Sequence, residues 1–467
     1  MSVYNTFTRP ASMRDIFSRH KRIFFVGIGG IGMQGLALLL FRRGFVVGGS
    51  DRCPSDGIER LRAAGIPVTI GHREENIHGY ELLVYTLAAE RETPELVAAR
   101  RAAIPCFSRA DLLGYLMSEY PVRIGVAGMH GKSTTTAMLA AILGEASLSP
   151  TVVSGGTIGQ GGTVMQQGQG RVFLCEACEY KDSFLCLYPS ISVVLNCEWE
   201  HPDYFKSLAQ VKASFHTYMR RAETVVLPAD GKAGDLPPTQ GMRVLRFGLS
   251  PVADARAVNV TYHAGCAAFD YLFCGIRRGR VRLAIPGEHN VQNALAALAV
   301  AEICHAPFAP AARALAACRG AERRLTPRGS WHGVTVYEDY AHHPTEIRAS
   351  LSALRRVMEG DKGGAQGRLF CVFQPHTYSR TAALFDDFAS SFADADAVVL
   401  LDIYAAREQN ESGVSVKGLA AAIPHACYQP NFDAAAAYLA RHCRACDMLV
   451  VMGAGDVFQL FAKLPCN

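Results

Sequence analysis

The chain has 467 residues, a length that predicts two to four domains at roughly 150 residues each. Hydrophobic residues make up 49% and charged residues 19%, which is typical of a packed globular enzyme and excludes a largely disordered chain. The net charge of +5 is spread along the sequence without basic runs interleaved with aromatic residues, so nucleic acid is not an expected partner.

The number of cysteines indicates the redox environment of the protein. The 15 cysteines are an odd number, and the chain opens on polar residues rather than a secretory leader, so we expect free thiols in the cytoplasm. The pairs Cys175 with Cys178 and Cys443 with Cys446 raise a zinc alternative, but they fall in separate predicted domains, which favours buried thiols. No apolar run reaches the ~18 residues that span a bilayer, so no membrane partner is expected.

Apolar runs alternate with helical segments along nearly the whole chain, beginning with RIFFVGIGG, MQGLALLLFRRG and FVVGGSD. Uninterrupted apolar strands between helices predict an α/β fold whose parallel sheets are covered on both faces. Breaks near Pro121 and Pro327 suggest three domains, over residues 1–120, 121–325 and 326–467. The segment EGDKGGAQG at 359–367 predicts a surface loop.

The first glycine loop (residues 27–32, GIGGIG) follows an apolar strand and precedes a helical segment. Gly27, Gly29, Gly30 and Gly32 allow a tight turn that brings a helix N-terminus close to a pyrophosphate. Asp51 follows about 20 residues later, where an acid that binds a ribose is expected. The pattern indicates a nucleotide and leaves open NAD, a UDP group or a turn that only packs a helix on a sheet.

The second glycine loop (residues 128–133, GMHGKS) follows the strand RIGVAG. A phosphate-binding loop needs amides around the phosphates, a lysine for the β and γ oxygens and a hydroxyl for Mg²⁺, and Lys132 and Ser133 supply the last two. Gly128 stands only three positions before Gly131, whereas the usual motif has four residues between the two glycines, and this difference disfavours a kinase or a GTPase.

The short form G-x-H-G-K-[ST]-T-T resembles the loop of the Mur ligase family. Further segments follow in that family's order, between about residues 24 and 457: CEACEY, NCEWEHPDYF, PGEHNVQNALAA, ERRL, EDYAHHPTEI, FQPHTYSRT and MGAGDV. The resemblance implies a Rossmann-like N-terminal domain, a central P-loop ATPase-type domain with a parallel sheet and a Rossmann-like C-terminal domain.

The activity that the resemblance implies is an ATP-dependent ligation in peptidoglycan synthesis. L-Alanine would be joined to the lactyl carboxylate of UDP-N-acetylmuramate through an acyl phosphate. The N-terminal domain would hold the UDP group, and the central domain would hold ATP with Mg²⁺. The protein would be a monomer or a homodimer.

The resemblance also implies roles for individual residues. The expected catalytic residues are Lys132, Glu176, His201, His343 and Arg380. The expected ATP-binding residues are Gly128, His130, Gly131, Lys132, Ser133, Thr134, His289, Asn290, Asn293, Arg323 and Arg324. The expected substrate-binding residues are Gly27, Gly29, Gly30, Gly32, Asp51, His343, His376 and Arg380. The expected Mg²⁺ ligands are Ser133, Glu176 and His201.

Several positions depart from the family pattern. They are Met129 in the second glycine loop, Pro202 after the metal histidine, Leu325 after the paired arginines and Thr377, where many members have arginine. Pro202 leaves the local turn open, and Thr377 removes one possible substrate contact. Lys212 raises the question of a carbamylated lysine, which the spacing does not answer.

Three alternatives stay open at this point. A related ligase that recycles a ready-made murein tripeptide shares the second glycine loop and the chemistry. An NAD-dependent oxidoreductase could be built on the first glycine loop, although no downstream motif supplies a hydride site. A catalytically silent binding protein is the third, and the intact Lys132, Glu176 and His201 disfavour it.

Overall fold

The computed structural model describes residues 10–89, 92–158, 163–231, 235–236, 241–360, 367–406 and 408–466. Most of the loop expected at 359–367 and residues 1–9 lie outside these ranges. The described residues fall into two compact units, the first within Met1–Cys197, Val211–Phe247 and Ala296–Ala311, and the second within Glu198–Gln210, Gly248–Leu295 and Ala312–Asn467. No helix of the described residues is long and apolar enough to cross a membrane.

The first unit begins with a sheet of five parallel strands. The strands are β1 (Arg22–Val26), β2 (Val46–Asp51), β3 (Val68–Ile70), β4 (Leu82–Tyr85) and β5 (Cys106–Ser108). Their helices are α1 (Pro10–Arg19), α2 (Ile31–Arg42), α3 (Asp56–Ala63), α4 (Pro94–Arg101) and α5 (Arg109–Ser118), with a 3₁₀ turn at Glu74–Ile77. The order β3-β2-β1-β4-β5 reverses direction between β1 and β4. Ligands bind in the crevice at such a reversal, and the first glycine loop leaves β1 there.

The first unit also contains most of the middle sheet. The strands are β6 (Val122–Ala127), β7 (Thr151–Ile158), β8 (Thr163–Gln166), β9 (Val172–Glu176), β10 (Ile191–Val194), β11 (Thr224–Pro228) and β12 (Arg243–Gly248). They follow the order β12-β11-β10-β6-β9-β7-β8, with β8 antiparallel to β7. The associated helices are α6 (Lys132–Glu145) and α7 (Leu208–Met219), with a 3₁₀ segment at Tyr180–Cys186. The second glycine loop joins the central strand β6 to α6, so it lies at the carboxyl edge of the sheet.

The second unit opens with an antiparallel ribbon, β13 (Ala255–His263), β14 (Cys266–Phe273) and β15 (Ile276–Pro286). Buried side chains alternate with more exposed ones along β13 and β14, which is typical of strands with one exposed face. Two helices come next along the chain, α8 (His289–Ile303) and α9 (Phe308–Ala317). This ribbon is antiparallel, and its period-two alternation differs from the continuous apolar runs that predict parallel sheets elsewhere in the chain.

The C-terminal sheet of the second unit has six strands. They are β16 (Thr326–Trp331), β17 (Val334–Asp339), β18 (Leu369–Phe373), β19 (Ala397–Leu400), β20 (Ala426–Tyr428) and β21 (Met448–Met452). The order is β16-β17-β21-β18-β19-β20, and only the β16–β17 pair is antiparallel among the described pairs. The helices are α10 (Pro344–Glu359), α11 (Tyr378–Ala383), α12 (Phe385–Ala389), α13 (Val416–Ala422) and α14 (Phe432–His442), with a 3₁₀ segment at Val457–Lys463.

Both faces of the C-terminal sheet are covered, and β21 shows why its sequence is continuously apolar. Val450 packs in the core on one face with Leu351 of α10, whereas Leu449 and Val451 pack in the core on the other face with Leu439 of α14. Alternate side chains of a strand point to opposite faces, so a strand between two helical layers needs apolar residues at every position. The predicted α/β fold class is confirmed, while the exact domain boundaries stay a prediction.

Candidate active site

A carboxylate side chain accepts a hydrogen bond from the backbone of the first glycine loop. Asp51, at the end of β2, accepts a hydrogen bond from the amide of Gly29 through Oδ2 at 2.8 Å and one from the amide of Arg52 through Oδ1 at 2.7 Å. A Cβ on Gly29 would lie 2.9 Å from that Oδ2, so glycine is required for this close approach. Asp51 therefore lies beside the loop as the sequence predicted, and it orders the loop backbone.

The second glycine loop depends on two glycines in left-handed conformations. Gly128 has φ +143° and Gly131 has φ +83°, a region that side chains rarely adopt. Asn196, which follows β10, fixes the loop from outside by accepting from the amide of His130 at 2.9 Å and donating to its carbonyl at 3.0 Å. Asn196 is a functional-site residue that the sequence analysis missed, although it stands in the quoted segment NCEWEH.

Lys132, the first residue of α6, points its ammonium group into a cage of oxygen atoms. Nζ donates to the carbonyls of Gly128 and Met129, the latter at 3.1 Å, and to Oε2 of Glu179 at 2.9 Å. The Glu179 side chain is only 2% exposed. The predicted phosphate-binding lysine is therefore ion-paired with a carboxylate that sequence reasoning did not single out.

Glu176 ends β9 beside the second glycine loop, as the sequence predicted. Its Oε1 accepts from the Ser154 hydroxyl at 2.5 Å and the Gly155 amide at 2.8 Å. Its Oε2 accepts from the Ser133 hydroxyl at 3.1 Å. Carboxylate and hydroxyl oxygens are the hard ligands that Mg²⁺ prefers, so this pair fits that ion.

His201 belongs to the second unit, in the connection that follows β10. The strand ends at Val194, and His201 follows it in this connection. The His201 carbonyl accepts from the amides of Tyr204 at 2.9 Å and Phe205 at 2.8 Å, and the residue has φ +55°. A tight turn therefore begins at His201 and includes Pro202, which is one of the departures from the family pattern.

Arg380, on α11, lies in a buried polar cluster of the second unit. Its Nη2 is 3.0 Å from Oε1 of Glu200, and both side chains are under a tenth exposed. Its Nη1 lies 3.2 Å from Nδ1 of His376. Burial and the positive charge of Arg380 lower the pKa of His376 to about 4, so this imidazole is neutral at pH 7 and accepts the hydrogen bond. Two predicted substrate residues are thus brought together.

His343 has a structural task at the start of α10. Its side chain is the helix cap, accepting from the amide of Thr345 at 3.3 Å. The neighbouring His342 lies 3.7 Å from Glu200 and 3.3 Å from Glu346. His343 therefore caps α10, and its expected contact with substrate stays a prediction.

The two arginines of ERRL have separate carboxylate partners. Arg323 pairs through Nε with the fully buried Glu338 at 2.8 Å, whereas Arg324 pairs through Nη1 with Glu346 at 3.1 Å. Burial raises the pKa of Asp339 to about 6, and the nearby Arg324 partly opposes that shift. Both arginines are held in fixed positions, and their expected contact with ATP phosphates stays a prediction.

The residues expected at the start of α8 are present at the predicted place. Nδ2 of Asn290 donates to the carbonyl of Pro286 at 2.7 Å, and Nδ2 of Asn293 donates to Oδ1 of Asn290 at 3.0 Å. His289 begins the helix and is exposed. The two amides order one another, and their role toward adenine stays a prediction.

The cysteines give no support to a zinc site. All 15 are free thiols. Burial raises the pKa of the Cys175 and Cys178 thiols, and it raises that of Cys443 to about 12, so these three thiols are protonated at neutral pH. The two Cys-x-x-Cys pairs also lie in different units.

The second glycine loop lies between a strand and a helix, and it presents Lys132 and Ser133 near Glu176 at one edge of a parallel sheet. This arrangement defines an α/β protein with a phosphate-binding loop. Three family models match the chain in order: "Mur ligase family, catalytic domain" over residues 22–121, "Mur ligase middle domain" over 126–301, and "Mur ligase, glutamate ligase domain" over 323–455. The chain belongs to the Mur ligase family, so the resemblance inferred from its motifs is confirmed.

Curated relatives extend over nearly the whole chain. A UDP-N-acetylmuramate–L-alanine ligase from Caldanaerobacter subterraneus subsp. tengcongensis is 39% identical over 459 residues, which are 95% of this chain and 97% of the relative. A protein of the same name from Agathobacter rectalis is 40% identical over 454 residues, with the same two coverages.

Solved structures agree with this assignment. The crystal structure of a UDP-N-acetylmuramate–alanine ligase from Thermotoga maritima has a TM-score of 0.80 at 27% identity, covering 95% of this chain and 98% of that one. A murein peptide ligase from Psychrobacter arcticus has a TM-score of 0.72 at 23% identity, covering 95% and 97%. The second likeness shows the fold alone.

Proposed function

We propose that this protein is an ATP-dependent ligase that joins L-alanine to the lactyl carboxylate of UDP-N-acetylmuramate, in the cytoplasmic part of peptidoglycan synthesis. The observation that carries the proposal is the match, over 95% of the chain, to relatives that bear this name. The second glycine loop supports it, because it carries Lys132 for the phosphate oxygens and places the Ser133 hydroxyl beside Glu176, where a metal ion needs oxygen ligands.

The reaction needs activation because a carboxylate and an amine do not condense on their own. Transfer of the γ-phosphoryl group of ATP to the lactyl carboxylate gives an acyl phosphate and ADP. The amine of alanine then attacks the acyl carbon, and phosphate leaves with its bonding electrons. Positioning and charge neutralisation supply most of the catalysis in phosphoryl transfer.

The second glycine loop supplies the groups for the first step. Lys132 neutralises the β and γ oxygens, and the amides of residues 128–133 surround them. His201 stays the predicted ligand of a second Mg²⁺, and Ser133 and Glu176 would hold the Mg²⁺ of the loop. When bound, that ion neutralises charge on the triphosphate. Ser154 and the Gly155 amide keep the Glu176 carboxylate oriented toward Ser133.

The first glycine loop and the C-terminal cluster supply the groups for substrate binding. The first glycine loop leads into the N-terminus of α2 at Ile31, a suitable place for the diphosphate of the UDP group. Arg380 carries the positive charge that a substrate carboxylate needs, and Glu200 and His376 hold its guanidinium in place. This division gives UDP and ATP separate loops and leaves no task for NAD.

Phosphate release tests the proposal. Purified protein with ATP, Mg²⁺ and UDP-N-acetylmuramate should release phosphate only when an amino acid is added, and L-alanine should be compared with glycine and L-serine. The murein tripeptide serves as the competing substrate. Faster release with the tripeptide than with L-alanine would identify the recycling ligase instead, and no amino-acid-dependent release would refute the proposal.

A further inference from the structure

Lys132 has no ammonium donor left for a phosphate. A lysine ammonium carries three N–H donors, and those of Lys132 go to the carbonyl of Gly128, the carbonyl of Met129 and Oε2 of Glu179. A β or γ phosphate can be bound by Lys132 only if one of these acceptors gives up its donor. A phosphate must therefore compete with these three acceptors for the Lys132 ammonium group, and the sequence motif of the loop does not show this.

Glu179 is the strongest of the three acceptors. Gly128 and Met129 offer neutral carbonyls, whereas Glu179 offers a carboxylate 2.9 Å from Nζ. Charge-assisted hydrogen bonds are roughly twice as strong as neutral ones. The Glu179 side chain is 2% exposed and that of Lys132 is 16% exposed, so water screens the pair weakly.

The backbone around Glu179 is held in place. The Glu179 carbonyl accepts from the amide of Asp182 at 2.9 Å, and the Cys178 carbonyl accepts from the amide of Phe184 at 2.8 Å. Lys181 and Asp182 have φ of +51° and +56°, which gives a turn of fixed shape. Release of Lys132 therefore calls for a rotation of the Glu179 side chain rather than a movement of the loop.

We propose that Glu179 is an affinity-determining residue of the nucleotide site, which holds Lys132 in the absence of nucleotide and competes with the β and γ phosphates for its ammonium group. The inference rests on the proposed function, because it takes ATP as the ligand of the second glycine loop. Removing the carboxylate strengthens nucleotide binding, which is the opposite of what loss of a supporting residue does.

The test is the dissociation constant of ATP for the full chain with EDTA present, so that no divalent cation contributes. Glu179→Gln keeps the size of the side chain and removes its charge, and we expect it to bind ATP three- to tenfold more tightly than the parent. Glu223→Gln is the matched control, because it removes one negative charge from a side chain that is 81% exposed, and its ATP affinity stays within twofold of the parent.

An affinity for ATP that is unchanged or weaker in Glu179→Gln overturns the inference. If thermal unfolding shows that this variant is not folded, Glu179→Asp replaces it, since the shorter side chain draws the carboxylate away from Nζ and tightens binding in the same direction. Failure of the parent to bind ATP even in a parallel titration with Mg²⁺ would refute the proposed function. Binding by the parent with no gain in the variants refutes only the competition by Glu179.

Discussion

The two glycine loops of the first unit have the same local architecture and different chemistry. Each joins a central parallel strand to the N-terminus of a helix, β1 to α2 and β6 to α6. In the first loop the nearby carboxylate, Asp51, accepts from a backbone amide. In the second loop the nearby carboxylates, Glu176 and Glu179, accept from the side chains of Ser133 and Lys132.

This difference separates a loop suited to holding a phosphate group from a loop suited to transferring one. Backbone amides and a helix N-terminus bind a diphosphate that stays intact. Transfer also needs a positioned cation and a ligand for a metal ion, because negative charge is redistributed among the phosphate oxygens during the reaction. Only the second loop has both, in Lys132 and in Ser133 with Glu176.

Lys132→Ala removes the cation of the second loop. We expect the ligation rate to fall about 100-fold or more, because a preorganised charge in a water-poor site stabilises the transition state strongly. The rate of phosphate release at saturating substrate concentrations measures this fall. Lys417→Ala, on the exposed part of α13, is the control and keeps the parental rate. A rate for Lys132→Ala within tenfold of the parent would remove this lysine from the mechanism.

Glu176→Gln removes the charge beside Ser133 while keeping the side-chain size. The Mg²⁺ concentration for half-maximal turnover should rise about tenfold or more, as is typical when a metal site loses one of its carboxylates. Excess Mg²⁺ should restore part of the rate by mass action. The measurement is turnover against Mg²⁺ concentration for the variant and the parent. Identical midpoints would show that Glu176 does not bind the ion.

Asp51→Asn should affect only the first loop. The neutral amide accepts a weaker hydrogen bond from Gly29 than the carboxylate does, so the loop is less ordered. We expect the affinity for UDP-N-acetylmuramate to fall about threefold to tenfold, with ATP affinity unchanged. Calorimetric titration of each nucleotide measures both values. Loss of ATP affinity with no effect on the UDP-sugar would reverse the assignment of the two loops.

Gly29→Ala and Gly30→Ala form a matched pair within the first loop. A Cβ on Gly29 would lie 2.9 Å from both Asp51 Oδ2 and Ile58, whereas a Cβ on Gly30 meets its nearest atom at 3.5 Å. Gly29→Ala should lower the free energy of unfolding by about 1 kcal/mol through overpacking, and Gly30→Ala should lower it much less. Equal denaturant midpoints for the two variants would show that Asp51 does not pack tightly on the loop.

Local features of these loops could be predicted from the sequence. The strands β1 and β6 are apolar runs that end in glycines, and β9 ends at Glu176 as expected. The start of α8 at His289 also agrees with the prediction. A strand buried on both faces needs an unbroken apolar run, so the sequence alone shows where the strand lies and where it ends.

Contacts between distant residues could not be predicted in this way. Glu179 stands 47 positions from Lys132, and Glu200 stands 180 positions from Arg380. An acid in a motif looks the same whether it binds a metal ion, pairs with a lysine or faces solvent, because the sequence does not give its neighbours in space. His343 is a similar case, since a histidine before a proline reads equally well as a helix cap and as a ligand for substrate.

The central claim is that the two glycine loops bind two different nucleotides at the same time. The direct measurement is a titration of ATP into the protein at increasing fixed concentrations of UDP-N-acetylmuramate, without amino acid and with EDTA present. We expect an ATP dissociation constant that stays within twofold across the series, because each nucleotide has its own loop. An apparent dissociation constant that rises in proportion to the UDP-sugar would show competition for one site and contradict the account.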